Sequence, residues 1–145
     1  MTEFIFNDGG RELAGFKGYA GDCVCRAISI AANLPYMDVY AKLSDGNATQ
    51  RRSKNTTKGA RSARDGINTG RKWFKEYMIS LGFTWTATMS IGSGCTTHLK
   101  SSELPSGRII CVVSKHFVAV IDGVINDTSD CSREETRCVY GYWTI

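Results

Sequence analysis

Apolar residues along this chain recur first with the spacing of helices and then, past residue 82, with that of strands. Val24, Ala27, Ile28 and Ala31 stand at i, i+3, i+4 and i+7, one face of a 3.6-residue repeat. Asp22 just ahead suits an N-cap and Pro35 lies just past the end, so a helix is expected from Cys23 to about Asn33. Pro35 then fits the first turn of a second helix, in which Tyr36, Val39, Tyr40 and Leu43 repeat the spacing. A third helix is expected from a Thr69 cap through Leu81, burying Trp73, Phe74, Tyr77, Met78 and Leu81, with Gly82 ending it. Ahead of the first helix a short apolar piece, Phe4-Ile5-Phe6, leads into a stretch rich in glycine (Gly9, Gly10, Gly15, Gly18, Gly21) that reads as loop.

Between helices two and three, residues 45–68 are polar, basic and poor in apolar side chains apart from Ile67. Such a segment cannot bury enough surface to offset its ordering entropy, and a long mobile loop is expected. From Phe83 onward, Phe83–Ser90, Arg108–Val113, His116–Ile121, Val124–Thr128 and Cys138–Thr144 are rich in β-branched and aromatic residues. Helices preceding strands predict an α+β fold with the helices packed on an antiparallel sheet.

Composition narrows this reading. A chain of 145 residues, 42% hydrophobic and with two prolines, has room for one domain, 1–145, and not for two. No apolar run is long enough to span a bilayer, and Met1-Thr2-Glu3-Phe4 does not open a signal peptide, so a cytoplasmic protein without a membrane partner is expected. In that compartment the six cysteines are expected to be free thiols. The net charge of +4 is uneven: residues 51–72 hold eight Lys/Arg against one Asp, a local +7, and the remainder carries −3.

The sharpest local signal is Val118-Ala119-Val120-Ile121-Asp122-Gly123-Val124-Ile125-Asn126-Asp127, two strand-like runs joined by Asp-Gly, a favoured two-residue hairpin turn. That turn sets Ile121 opposite Val124, Ala119 opposite Asn126, Val118 opposite Asp127 and His116 opposite Ser129. Alternation then puts His116, Val118, Asp127 and Ser129 on one face and Asn126 on the other, with Phe117 and Ala119. His116 and Asp127 become diagonal neighbours about 7 to 8 Å apart at Cα, a span their side chains can close. Asp130 and Asp122 are weaker partners, the first on the wrong face and the second committed to the turn. A carboxylate on one imidazole nitrogen fixes the tautomer and frees the other nitrogen to take a proton from a nucleophile. Cys23, at a helix N-terminus where the dipole favours thiolate, is the candidate nucleophile.

With Gly21-Asp22-Cys23 opening a helix, His116-Phe117-Val118-Ala119-Val120 beginning a strand and Asn126-Asp127 on the next, the chain resembles the papain-like superfamily of cysteine peptidases and related amide hydrolases. It is also similar to small uncharacterised phage and prophage proteins with a Gly-Asp-Cys helix start, a Gly70–Phe74 segment (Gly-Arg-Lys-Trp-Phe) and a His…Asp-Gly…Asp hairpin. The resemblance implies a papain-like fold, a Cys23–His116–Asp127 triad, no cofactor, and a protein or peptide substrate, which in a phage setting would be a host or phage protein in the host cytoplasm. The superfamily usually carries a glutamine a few residues before the cysteine to help hold the oxyanion. Phe16-Lys17-Gly18-Tyr19-Ala20 has none, leaving the Cys23 N–H with Asn7, Lys17 and Asp22 as supporting candidates.

Two other readings stand beside this one. Arg51, Arg52, Lys54, Lys58, Arg61 and Arg64 would let a non-catalytic module of the same fold bind nucleic acid or an acidic partner. A zinc site can be drawn from Cys95, His98, Cys131 and Cys138, but no Cys-x-x-Cys pair supports it and no metal is expected.

Overall fold

Asp122 and Gly123 both adopt positive φ, 49° and 80°, the pair of left-handed residues that joins two twisted strands without an insertion. In the computed structural model, which describes residues 2–16, 22–48, 67–90 and 92–145, this turn links β4 (His116–Ile121) to β5 (Val124–Asp127). The register is the one the turn dictates, with Ile121 opposite Val124 and Ala119 opposite Asn126. β3 (Arg108–Val113) pairs antiparallel with β4 along its whole length, from Arg108–Ile121 to Val113–His116.

The sheet has six strands in the order β1-β5-β4-β3-β6-β2, with β1 at Phe4–Phe6, β2 at Thr84–Ala87 and β6 at Gly141–Thr144. It is mixed rather than antiparallel, because β1 runs parallel to β5, Ile5 opposite Asn126. A three-residue apolar piece has no period of its own to announce a strand. Here β1 covers the edge of β5 that the hairpin leaves unpaired. β3 and β4 keep their expected bounds, β2, β5 and β6 are shorter than expected, and Cys138 forms an isolated bridge with His98 ahead of β6.

Three α-helices occur among the described residues: α1 (Cys23–Ala32), α2 (Tyr36–Ala48) and α3 (Lys72–Ser80). The α+β class therefore holds. α1 stops where Asn33 turns left-handed (φ 55°), its N–H returning to the Ile30 and Ser29 carbonyls. Two expected caps are corrected: Arg71 rather than Thr69 precedes α3, and Asp22 makes no capping hydrogen bond to α1. α2 runs to Ala48, past the expected start of the basic loop. The rest of that loop, with Arg51, Arg52, Lys54, Lys58, Arg61 and Arg64, lies outside the described residues.

The central strands are apolar on both faces because both are covered. Ile110, Phe117, Ala119 and Trp143 pack against α1, α2 and α3 around Ile28, Leu43, Phe74 and Met78. On the reverse, Ile109, Cys111, Val113, Val118, Val120 and Ile125 meet Leu99 and Val139 from the connecting segments. No helix among the described residues is long and apolar enough to cross a membrane.

Cys95 and Cys138 are joined in a disulfide, Cα atoms 5.9 Å apart. This corrects the expectation of free thiols for two of the six; Cys23, Cys25, Cys111 and Cys131 are unbridged. It also removes the zinc arrangement, since two of its sulfurs bond each other and the His98 ring lies 3.2 Å from Glu103. The bridge spans 43 residues, for which loop-closure entropy gives about 4 kcal/mol as an upper expectation. Urea unfolding of Cys95→Ser should show a loss of about 2–4 kcal/mol; an unchanged midpoint would mean that the bridge does not constrain the unfolded chain.

Candidate active site

α1 begins at Cys23, where the first amides have no intrahelical acceptor and the dipole is positive. Asp22 ahead of it is 1% exposed and turns its carboxylate inward instead of capping. Tyr36 donates its hydroxyl to Asp22 Oδ2 at 2.5 Å, Arg11 Nε lies 3.0 Å from the same oxygen, and the Arg26 guanidinium pairs with Oδ1. A buried carboxylate is tolerated only when so partnered, and these interactions outcompete a cap.

Arg26 is the only charged residue of α1 and lies one turn from Cys23, on the same side of the helix. Its guanidinium also reaches Asp127 Oδ1, at 3.6 Å. It therefore ties the start of α1 to the end of β5. This residue was missed in reading the sequence; the signals for it were the i, i+4 spacing from Asp22 and a lone charge on an apolar helix.

Asp127 is 4% exposed. Its Oδ2 lies 2.6 Å from His116 Nε2, and its Oδ1 accepts the Thr128 N–H at 2.7 Å. Burial raises the Asp127 pKa, but the His116 hydrogen bond, the Thr128 amide and the charges of His116 and Arg26 hold it below its ordinary value. With Nε2 committed to Asp127, Nδ1 is the ring nitrogen free to exchange a proton with a thiol.

The Cys23 thiol meets the His116 ring and the Phe117 backbone N–H. Burial would push this thiol up. The hydrogen bonds from His116 and Phe117 and the charges of His116 and Arg26 outweigh it and bring the pKa below the ordinary thiol value. For His116 burial favours the neutral ring, yet hydrogen bonds with Asp127, Cys131 and Cys23 and the Asp127 charge raise it to about 11. A lowered thiol beside a raised ring favours the thiolate–imidazolium pair over the neutral one. By contrast, Cys25, two residues on, is fully buried, and burial pushes it up to about 12.

Strict alternation assigns His116 and Asp127 to the sheet face remote from α1, the face of Val118. They nevertheless reach the helix because they stand at strand ends, beyond the last Ala119–Asn126 pairing of the hairpin. There the ring meets both Cys23, packed with the helix-side core, and Cys131, packed with the reverse cluster. The Cys131 sulfur, a His116 nitrogen and an Asp127 oxygen lie within 4.8 Å of one another, a donor set of the kind that holds zinc. The 2.6 Å contact between His116 and Asp127 suits a shared proton; two ligands each about 2 Å from a tetrahedral metal sit farther apart.

The structure thus brings Cys23, His116 and Asp127 together. Asn126, Asp130 and Asp122 are occupied elsewhere, Asn126 by Asn7 and Val124, Asp130 by the Ser132 N–H and Asp122 by the Gly107 N–H. Of the supporting candidates, Asn7 donates one amide N–H to Asn126 and accepts the Gly9 N–H. Asp22 supports the site through Arg26, and Lys17 lies outside the described residues. The chain matches no protein-family model, and neither a curated protein nor a solved structure was found to be similar to it.

These shifts set a pH profile. Thiolate forms as pH rises through the lowered Cys23 value, and its imidazolium partner persists until pH approaches about 11. Modification of Cys23 by iodoacetamide should therefore set in at lower pH than that of a free thiol such as N-acetylcysteine amide. His116→Ala should move the profile to higher pH. A parent profile rising in step with free cysteine would contradict the charged pair.

Proposed function

We propose that the chain is a papain-like thiol hydrolase acting on an amide or peptide bond, with Cys23 as nucleophile, His116 as acid–base and Asp127 as the group that orients His116. One observation carries the reading: a thiol at a helix start whose pKa is depressed by an imidazole that a buried carboxylate holds at 2.6 Å. Structural cysteines are driven the other way by burial, as Cys25 and Cys111 are.

The reaction follows from the protonation states. The Cys23 thiolate attacks the substrate carbonyl carbon, and the oxyanion is met by the Cys23 N–H at the helix start. His116 gives its proton to the leaving nitrogen as the carbon–nitrogen bond breaks, leaving a thioester on Cys23. The ring, now neutral, takes a proton from water, whose oxygen displaces the thiolate. Asp127 keeps Nε2 protonated throughout and stabilises the cation. A host or phage protein as substrate rests on the resemblance to phage-encoded chains.

A peptidyl vinyl sulfone, which traps thiolates next to an acid, should label the parent on Cys23, by mass spectrometry, and should leave Cys23→Ser unlabelled. On any peptide substrate the enzyme cleaves, Asp127→Asn should lower kcat by about 10²-fold or more with a smaller effect on KM. Labelling of Cys23 no faster than of a free thiol would end this reading.

A further inference from the structure

Beside His116, and on the side that Cys23 does not line, the fold holds a cavity of about 420 Å³ bounded by Ser114, Lys115, His116, Ser129, Cys131, Arg133 and Arg137. Among the described residues, three permanent cations line it and no carboxylate does. They come from separate parts of the chain: Lys115 from the β3–β4 turn, and Arg133 and Arg137 from the segment before β6. Arg137 braces the walls, its guanidinium nitrogens donating to the Ser114 carbonyl at 2.5 Å and the Cys131 carbonyl at 3.3 Å, while its buried Nε has no partner. Of the nearby acids, Asp130 turns to the Ser132 N–H, Glu135 to Thr2 and Asp127 to His116, and the exposed Glu134 is not among the residues that bound the cavity.

The backbone on which these cations ride is strained. Lys115 has φ 56°, and Arg133, Glu134 and Glu135 are three consecutive non-glycine residues at φ 53°, 56° and 65°. Each left-handed residue of this kind costs about 1 kcal/mol or more, and such costs gather at binding sites. Like charges converging on a concave pocket also repel one another until an anion enters.

We propose that this cavity is an anion subsite that receives a carboxylate or phosphate carried by the leaving half of the substrate. The assignment to that half rests on the hydrolase reading: His116 delivers its proton to the leaving nitrogen, so what leaves lies on the His116 side of the thiol. A peptide with an acidic or phosphorylated residue just after the attacked bond would present its charge there.

Cys131 lines the pocket and is partly exposed, so it reports on the subsite without any substrate. The ratio of its rates with iodoacetate and iodoacetamide cancels the thiolate fraction and leaves the response to charge. Measured by peptide mass spectrometry and divided by the same ratio for N-acetylcysteine amide, it should exceed unity by about fivefold or more at low salt and fall as salt is raised. Lys115→Asn/Arg133→Asn, whose asparagines tolerate left-handed backbone, should bring the ratio close to unity, and Lys115→Arg/Arg133→Lys should retain it. N-acetylaspartate and O-phosphoserine, added separately, tell a carboxylate site from a phosphate site by which one protects Cys131. A ratio near unity in the parent, or one unmoved in the asparagine variant while its melting temperature is unchanged, would overturn the subsite. Inert Cys23 with a raised ratio at Cys131 would remove the hydrolase reading and leave the anion pocket standing.

Discussion

Two buried carboxylates, Asp22 and Asp127, share one guanidinium, and the geometry around the Cys23 thiol depends on that arrangement. A buried carboxylate without compensation is costly, and removing one partner of such a group commonly costs about 3–5 kcal/mol. Arg26 meets the demand from both sides. Because it belongs to the first turns of α1, neutralising the carboxylates also fixes where the helix starts relative to the ends of β4 and β5. Tyr36 and Arg11 complete the shell of Asp22, and His116 and the Thr128 amide complete that of Asp127. The thiol is placed by charges that have nowhere else to go.

This makes the low thiol pKa a property of the fold and not of Cys23 alone. Burial opposes the thiolate, and the same burial would strip His116 of its proton. The two groups support each other's charged form, with Asp127 the larger support of the imidazolium. Cys25 and Cys111 show what happens to a buried thiol without an imidazole partner, since burial raises both. The second thiol at the ring, Cys131, belongs to the opposite layer of the sheet. Its presence marks the place where the two layers meet at the strand ends and where the cationic cavity opens.

What could be read in the sequence was local. The Asp122-Gly123 turn fixed the pairing of β4 with β5 and so singled out Asp127 over Asn126 and Asp130 as the partner of His116, and helical spacing located α1 and α2 closely. What escaped was long-range. β1 pairs in parallel with β5 across more than a hundred residues of chain, and Cys95 finds Cys138 although no spacing rule connects them. Asp22 looked like a cap because its position allowed it, but Arg26, Arg11 and Tyr36 compete for the same oxygens. Strict face alternation would have kept His116 away from α1; strand ends relax that rule, and only the assembled layers show it. Lys115, Arg133 and Arg137 are unremarkable one by one, and only the folded chain collects them.

The protonation state of His116 is the most direct test of this account. Nitrogen-15 NMR of the imidazole distinguishes a ring protonated on both nitrogens from either neutral tautomer. A thiolate–imidazolium pair backed by Asp127 requires a doubly protonated ring at pH 8, well above the ordinary histidine value, with the signal titrating at lower pH in Cys23→Ala. A neutral His116 ring at pH 7 in the parent protein would contradict it.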